Sequence, residues 1–273
     1  MKNTFIMTWF TLREAMARKV FIFFLVISAI VLLITGLVLS MIDTEKILTG
    51  LTKGAVNIDM SMIVSKIELM IVSPLAGLCL LLAIFASASF IPIMLEKGNI
   101  DLLLSKPVSR SQLIWGKFWG GLMVVFLNIA FLIIGVWLII SFKFSYWNFS
   151  FLLIVLITTF TFAVLYSLII LFGVLTKGST LGMMVAYFIF IILSPLLASS
   201  QGQLGLFIQS KFWKSVIDAF YYIVPKTSEM MGKISFGLAA GNGVEDWQPI
   251  LTSLAFLILT MGITISIFRK KDF

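Results

Sequence analysis

Apolar residues along this chain come in long unbroken runs, not in the alternation of a half-buried strand or the 3.6-residue stripe of a surface helix. Six runs reach the roughly 20 residues that cross a hydrocarbon core of about 30 Å as a helix. They predict spans over 20–42, 69–95, 118–142, 149–176, 178–198 and 249–268. The second contains Pro74 and Pro92. The fifth opens the uncharged stretch Gly178–Ser210 and is expected to end near Pro195, because proline disrupts the helical ladder behind it. Pro249 suits the first turn of the sixth, where its missing N–H costs nothing. Barrel strands would alternate over about 10 residues. The fold class is therefore all-α: a polytopic membrane protein with six transmembrane helices in one domain over 1–273.

Between the spans the pattern changes character. In residues 1–19, Phe5, Trp9, Leu12 and Met16 recur at helical spacing with Arg13, Glu14 and Arg18 on other faces, which predicts an amphipathic interfacial helix. Residues 96–117 read as a short apolar helix over Ile100–Leu104, a turn at Lys106-Pro107, and a capped helix start. Ser109 with Gln112 three residues on is the capping-box signature. Leu102, Leu103 and Leu104 are unusually apolar for a connection in water: they either dip into the interface or dock on a protein. In 199–248, Phe212, Val216, Phe220 and Val224 share a face of a re-entrant or interfacial helix ending at Pro225, and a flexible glycine-rich stretch, Gly237–Gly243, follows. Asn148-Phe149-Ser150 matches a glycosylation sequon at the membrane edge and carries no weight.

Composition fixes the solvent. Of 273 residues, 60% are apolar and 12% charged, with a mean hydropathy of +1.13. A soluble domain carries about 25% charged residues, so lipid must face this one. Charge then sets orientation. With the N-terminus inside, 12 Lys and Arg lie inside, all four arginines among them, and 8 lie outside; acids divide four and eight. The inside nets +8 and the outside zero, the positive-inside bias of a cytoplasmic face. The basic balance thus belongs to membrane lipid, and nucleic acid is not a partner. The first span, 23 residues long, exceeds the 7–15-residue core of a signal peptide and reads as a retained helix.

Much chemistry is excluded. There is no His, and the single Cys79 lies in an apolar run, so neither catalytic triad nor Cys-pair metal site is available. No predicted span contains Asp, Glu, Lys or Arg, which argues against a proton-coupled pump, a voltage sensor or an intramembrane protease. Sodium coupling through the carbonyls of broken helices stays open. The Gly-Lys pairs Gly116-Lys117 and Gly232-Lys233 lack the upstream glycine and the hydroxyl residue of a phosphate-binding loop. Any ATP used must be hydrolysed by another subunit, and this chain is not itself an enzyme. Ser87, Ser89, Asn128, Thr158, Thr159, Thr161 and Ser167 read as interhelical glue. Asn128 is singled out as a candidate on a translocation path. Gly116-x-x-x-Gly120 and Gly178-x-x-x-Gly182 allow close helix approach.

Three segments together resemble a known family, the type-2 ABC exporter permeases, in the branch that includes copper-enzyme maturation permeases. They are Thr11-Leu12-Arg13-Glu14-Ala15, the run from Glu96 to Arg110 followed by Gly116-Lys117, and the closing Phe268-Arg269-Lys270-Lys271-Asp272-Phe273. The resemblance runs nearly end to end; Asn99 stands where the family often has Thr. It implies six helices per permease, a second permease copy (identical or not), and separate cytoplasmic ATPase subunits that hold the ATP and Mg, with no cofactor in this chain. It implies a cell membrane location with both termini cytoplasmic. It also makes 96–117 a coupling loop whose coupling helix fits a cleft in the ATPase. The contact residues would be Glu96, Gly98, Ile100, Asp101, Leu102, Leu104, Ser105, Pro107 and Arg110. Among them Leu102 and Leu104 would be the knobs, while Glu96, Asp101 and Arg110 orient the loop through charge-assisted hydrogen bonds. An alternative from a different class is a membrane scaffold that recruits a cytoplasmic protein without transport. A membrane-embedded transferase finds no cluster of acid, base and nucleophile. An uncharged lining fits lipids, peptides, hydrophobic drugs or small ions.

Overall fold

The computed structural model describes residues 2–17, 20–41, 60–96, 98, 109–200 and 211–271. Six helices among them are long and apolar enough to cross a membrane, and the described residues contain no strand. Helix α1 (Lys2–Ala17) is followed by α2 (Val20–Met41), the first span. The second is α3 (Met60–Ser87), which is interrupted at Ala88–Ser89 and resumes as the single turn α4 (Phe90–Met94). Pro92 explains the break, because its ring would collide with the carbonyl of residue 88 in a continuous helix. Pro74 stays inside α3.

The third span, α5 (Arg110–Phe144), is the axis of the molecule and packs against α1, α2, α3, α6 and α10. Its start is the predicted capping box: the Gln112 N–H donates to Ser109 Oγ at 3.3 Å and the Ser109 N–H to Gln112 Oε1 at 3.0 Å. A 3-10 turn, Phe149–Leu153, leads into α6 (Ile154–Thr176), the most deeply buried span. Fifth comes α7 (Thr180–Ser200), and sixth α10 (Gln248–Lys270), with Pro249 in its first turn as predicted. Between them α8 (Lys211–Ile223) and α9 (227–239) pack on the end of the bundle remote from the termini. Broad apolar faces of α2, α7 and α10 are exposed, including Leu33, Leu37, Met184, Ile191, Leu259 and Ile263. Such surfaces are stable only against lipid or another apolar partner.

Several expectations need correction. Helix α7 does not stop near Pro195; it runs to Ser200, because Phe188–Leu193 winds as a π-helix and so leaves room for the proline ring one turn later. On α1 the interfacial reading is not contradicted, since Phe5 and Trp9 are exposed, and the helix also presents Met7, Thr11 and Glu14 to α5. On α8 the docked side chains are Ile217 and Tyr221, joined by Val224 just beyond the helix; Phe212 and Phe220 point outward. The Gly237–Gly243 stretch is a defined helix end. The Asn242 N–H donates to the Gly237 carbonyl at 2.9 Å and the Gly241 N–H to the Leu238 carbonyl at 3.1 Å, with Gly241 at φ +79°. That is a Schellman cap, which requires a left-handed residue.

The second span also differs. The helix of the second span begins at Met60, nine residues before the predicted start at Leu69, and takes in exposed Lys66 and fully buried Glu68. A carboxyl group is tolerated there because Asn148 Nδ2 donates to Glu68 Oε2 at 2.9 Å and to the Ala239 carbonyl at 2.7 Å. The Trp137 indole in turn donates to the Asn148 carbonyl at 2.9 Å. Asn148 is thus buried and engaged. Of the polar residues expected to be glue, Ser87, Thr159 and Thr161 bond carbonyls of their own helices, and Ser89 bonds the Ala86 carbonyl at the end of α3. Ser167 alone among them reaches across, to Thr260 Oγ1 at 2.7 Å.

Candidate functional site

The end of the bundle that carries both termini is built around the first three turns of α5. Ser109 starts the helix, so Arg110 projects at once toward the end of α10. Its Nη1 donates to the carbonyls of Phe268 and Arg269, each at 3.3 Å, and to that of Lys271. The last carbonyls of a helix have no partner within it and carry the negative end of its dipole. A guanidinium, with five fixed donors and a permanent charge, answers both. The neighbouring residues repeat the bond in reverse: Arg269 Nε donates to Ser111 Oγ at 2.9 Å. Lys271 Nζ then donates to the carbonyls of Val174 and Leu175 at 2.7 and 3.2 Å, closing the end of α6. Three helix ends are clasped by three basic residues.

One turn further in, α5 receives α1. Gly116 and Gly120 lie directly under Met7 and Thr11, so close that a Cβ on either glycine would collide with the facing side chain. The predicted small-residue pair therefore seats the N-terminal helix. Between the glycines Lys117 points toward α1 and meets Glu14 Oε2 at 2.5 Å, with the lysine side chain 3% exposed and the glutamate 20%. Opposite, Tyr166 of α6 donates to the Lys117 carbonyl at 3.3 Å, and its ring fills the space a side chain at Gly121 would need. Phe118 and Phe162 stack on that ring at centroid distances of 5.9 and 5.2 Å. Gly182 plays the same part between α7 and α6, where its Cα faces the backbone of Ile169.

Of the residues expected at the coupling loop, Glu96 is exposed just after α4, Gly98 adopts φ +92°, and Arg110 is engaged in the clasp. Ile100, Asp101, Leu102, Leu104, Ser105 and Pro107 lie outside the described residues. Asn128 is buried midway along α5. Its Nδ2 donates to the Val124 carbonyl at 3.0 Å, and its Oδ1 has no partner. It lines a small cavity with Phe24, Ser87 and Phe90, enclosed between α2, the α3–α4 break and α5. Sequence reasoning missed Glu14–Lys117, Ser111–Arg269 and Lys271. Lys117 sits one residue before the predicted span, where a lysine reads as a membrane-edge anchor. Its partner is 103 residues away and leaves no local signal.

No curated protein matches the chain. A family model, that of the ABC-2 family transporter proteins, matches residues 8–273, which takes in α1 from its second turn, every element from α2 to α10, and Arg110, Arg269 and Lys271 of the clasp. With six membrane-length helices and a match over nearly its whole length, the chain belongs to the ABC-2 transporter family as a membrane-spanning permease component.

Proposed function

We propose that this chain is the permease of an ABC exporter, driven by a separate cytoplasmic ATPase subunit that docks on residues 96–117. The clasp is the observation that carries the reading. Arg110 is the first residue of α5 and the first described element after the loop, and it holds the carbonyl end of α10, which in turn holds α6 through Lys271. A pull on the loop therefore acts on the third, fourth and sixth spans together. Leu102 and Leu104 are the docking knobs, and Glu96, Gly98, Ile100, Asp101, Ser105 and Pro107 complete the contact. The basic excess on the terminal side supports a cytoplasmic placement of both termini in the cell membrane. A second permease copy completes the path between the two chains, with ATP and Mg held by the ATPase pair. Asn128, buried inside the bundle, joins that path only when α2 and α5 part.

Purification of the tagged chain from its native membrane, with ATP hydrolysis assayed and co-purifying proteins identified, tests this. A stoichiometric ATPase is expected with the wild type, and its loss on replacing both Leu102 and Leu104 with Asp while the permease still inserts. Normal assembly of that double variant would remove the docking assignment. Recovery of the intact permease with no ATPase, under conditions that keep other complexes whole, would remove the transporter reading.

A further inference from the structure

At the end of the bundle remote from the termini, a second site is formed where α8, α9, α7 and α10 meet. Lys226, in the turn between α8 and α9, is 3% exposed. Its backbone N–H donates to Ser253 Oγ of α10 at 3.1 Å, and the following Ser228 N–H donates to Ser194 Oγ of α7 at 2.9 Å. These bonds fix the turn against two spans. The ammonium lies 3.7 Å from the centroid of the Tyr221 ring and 5.0 Å from that of Tyr222, yet Nζ has no hydrogen-bond acceptor. The rings favour the charge but accept none of its three N–H bonds. Beside the ammonium is a pocket lined by Ser194, Leu197, Tyr221, Pro225, Lys226 and Glu229. Glu229 shares the pocket and acts on the ammonium through space without a hydrogen bond to it; its Oε1 accepts from the Tyr221 hydroxyl at 2.8 Å and lies 4.0 Å from Lys233 Nζ.

Depth narrows what could enter. Ser253 is five residues inside α10, about 8 Å below its first residue at 1.5 Å per residue. A lysine at that level ordinarily extends its ammonium to the headgroups; this one is turned inward. On the other side of α8, Phe212, Phe220 and Ile223 form an exposed apolar surface, suited to acyl chains. Desolvation under the rings lowers the pKa of Lys226, with Glu229 and Asp246 acting in the opposite direction. An incoming anion would oppose the effect of that desolvation. We propose that the Lys226 pocket binds the anionic phosphate or carboxylate headgroup of an amphiphile at the membrane face remote from the termini. The site stands apart from the coupling loop and does not depend on the direction of transport.

Photolabelling of the full-length chain in mixed micelles tests this, using a phosphatidylglycerol with a diazirine on its headgroup and mapping the adducts by mass spectrometry. Adducts within Tyr221–Glu229 are expected, reduced about tenfold in Lys226→Gln and retained in Lys226→Arg, a factor that reflects the loss of one charged contact. A phosphatidylcholine analogue should label the segment weakly. Inorganic phosphate added as competitor separates the sources: if it abolishes labelling, a free anion suffices, and if it does not, the lipid as a whole is the ligand. Adducts spread over other exposed surfaces, or equal labelling of Lys226→Gln and the wild type, would overturn the assignment. Where Lys226→Gln does not accumulate, the wild type decides by itself: equal labelling by the two lipids overturns it.

Discussion

The seat of α1 on α5 depends on single atoms. At Gly116 and Gly120 the facing atoms are Met7 and Thr11 Cβ, with the Thr8 carbonyl 3.1 Å from a Cβ at Gly120. Neither position can yield without shifting α1 itself. Overpacking of this kind costs about 1–3 kcal/mol. Gly120→Ala should therefore lower the melting temperature of the purified protein. Gly77 on α3 is the control: a Cβ there meets nothing within 4 Å, and removing a glycine's freedom in a helix is worth about 0.4–1 kcal/mol. Gly77→Ala should raise the melting temperature. A fall in both would show that any helical glycine is replaced at a loss, and the close approach would explain nothing. The Lys117–Glu14 pair obeys a different rule. Removing one partner of a buried pair costs about 3–5 kcal/mol, whereas replacing both by apolar groups can be neutral. Glu14→Gln should destabilise more than Glu14→Leu combined with Lys117→Met. Unfolding followed through tryptophan fluorescence orders the two variants.

Helix ends show most clearly what a linear sequence discloses. The Ser109 cap was legible because its partner, Gln112, is three residues away on the same strand of text. The Schellman end of α9 was equally local, yet its glycines read as flexibility; only the bond from Asn242 back to Gly237 shows that they close a helix. Gly241→Val would force a β-branched residue to φ +79°, at about 1–2 kcal/mol. Gly241→Asn should be tolerated much better. The expected signature is faster proteolysis at residues 240–247 in the valine variant, with the asparagine variant near the wild type. The spans were legible from run length because lipid demands unbroken apolarity. Their boundaries were not, since Glu68 enters the second span only by virtue of Asn148, 80 residues away. Faces were the least legible. On α1 and α8 the exposed side is itself apolar, so periodicity could not distinguish that side, with Phe5 and Phe220, from the docked side, with Met7 and Tyr221.

Taken as a whole, the molecule is asymmetric in how its two ends are held. The end remote from the termini has α8 and α9 packed over the spans, with buried polar groups such as Lys226 Nζ and Glu68 Oε1 left without hydrogen-bond partners. The terminal end is closed by charge-assisted bonds from Arg110, Arg269 and Lys271 to neighbouring helices. The two ends thus differ in kind: side-chain cations grip helix-end carbonyls at one, while buried neutral bonds and a carboxyl–amide pair hold the other. Under the proposed coupling, motion delivered at the clasp would carry α5, α6 and α10 as a body. The clasp can be cut at Arg110 without touching any span interior. Arg110→Met retains the apolar stem and removes the donors, at a stability cost of about 1.5–3 kcal/mol for hydrogen bonds to a charged group, which leaves insertion intact. With an environment-sensitive label on Ser266→Cys in α10 and a second on Trp119→Cys in α5, ATP added to the permease–ATPase complex should change both signals in the wild type. In Arg110→Met the α5 signal should persist and the α10 signal should fall away. If α10 still responds in full, transmission runs through the packed interior, by way of Ser167 and Thr260, and the clasp only holds the bundle together.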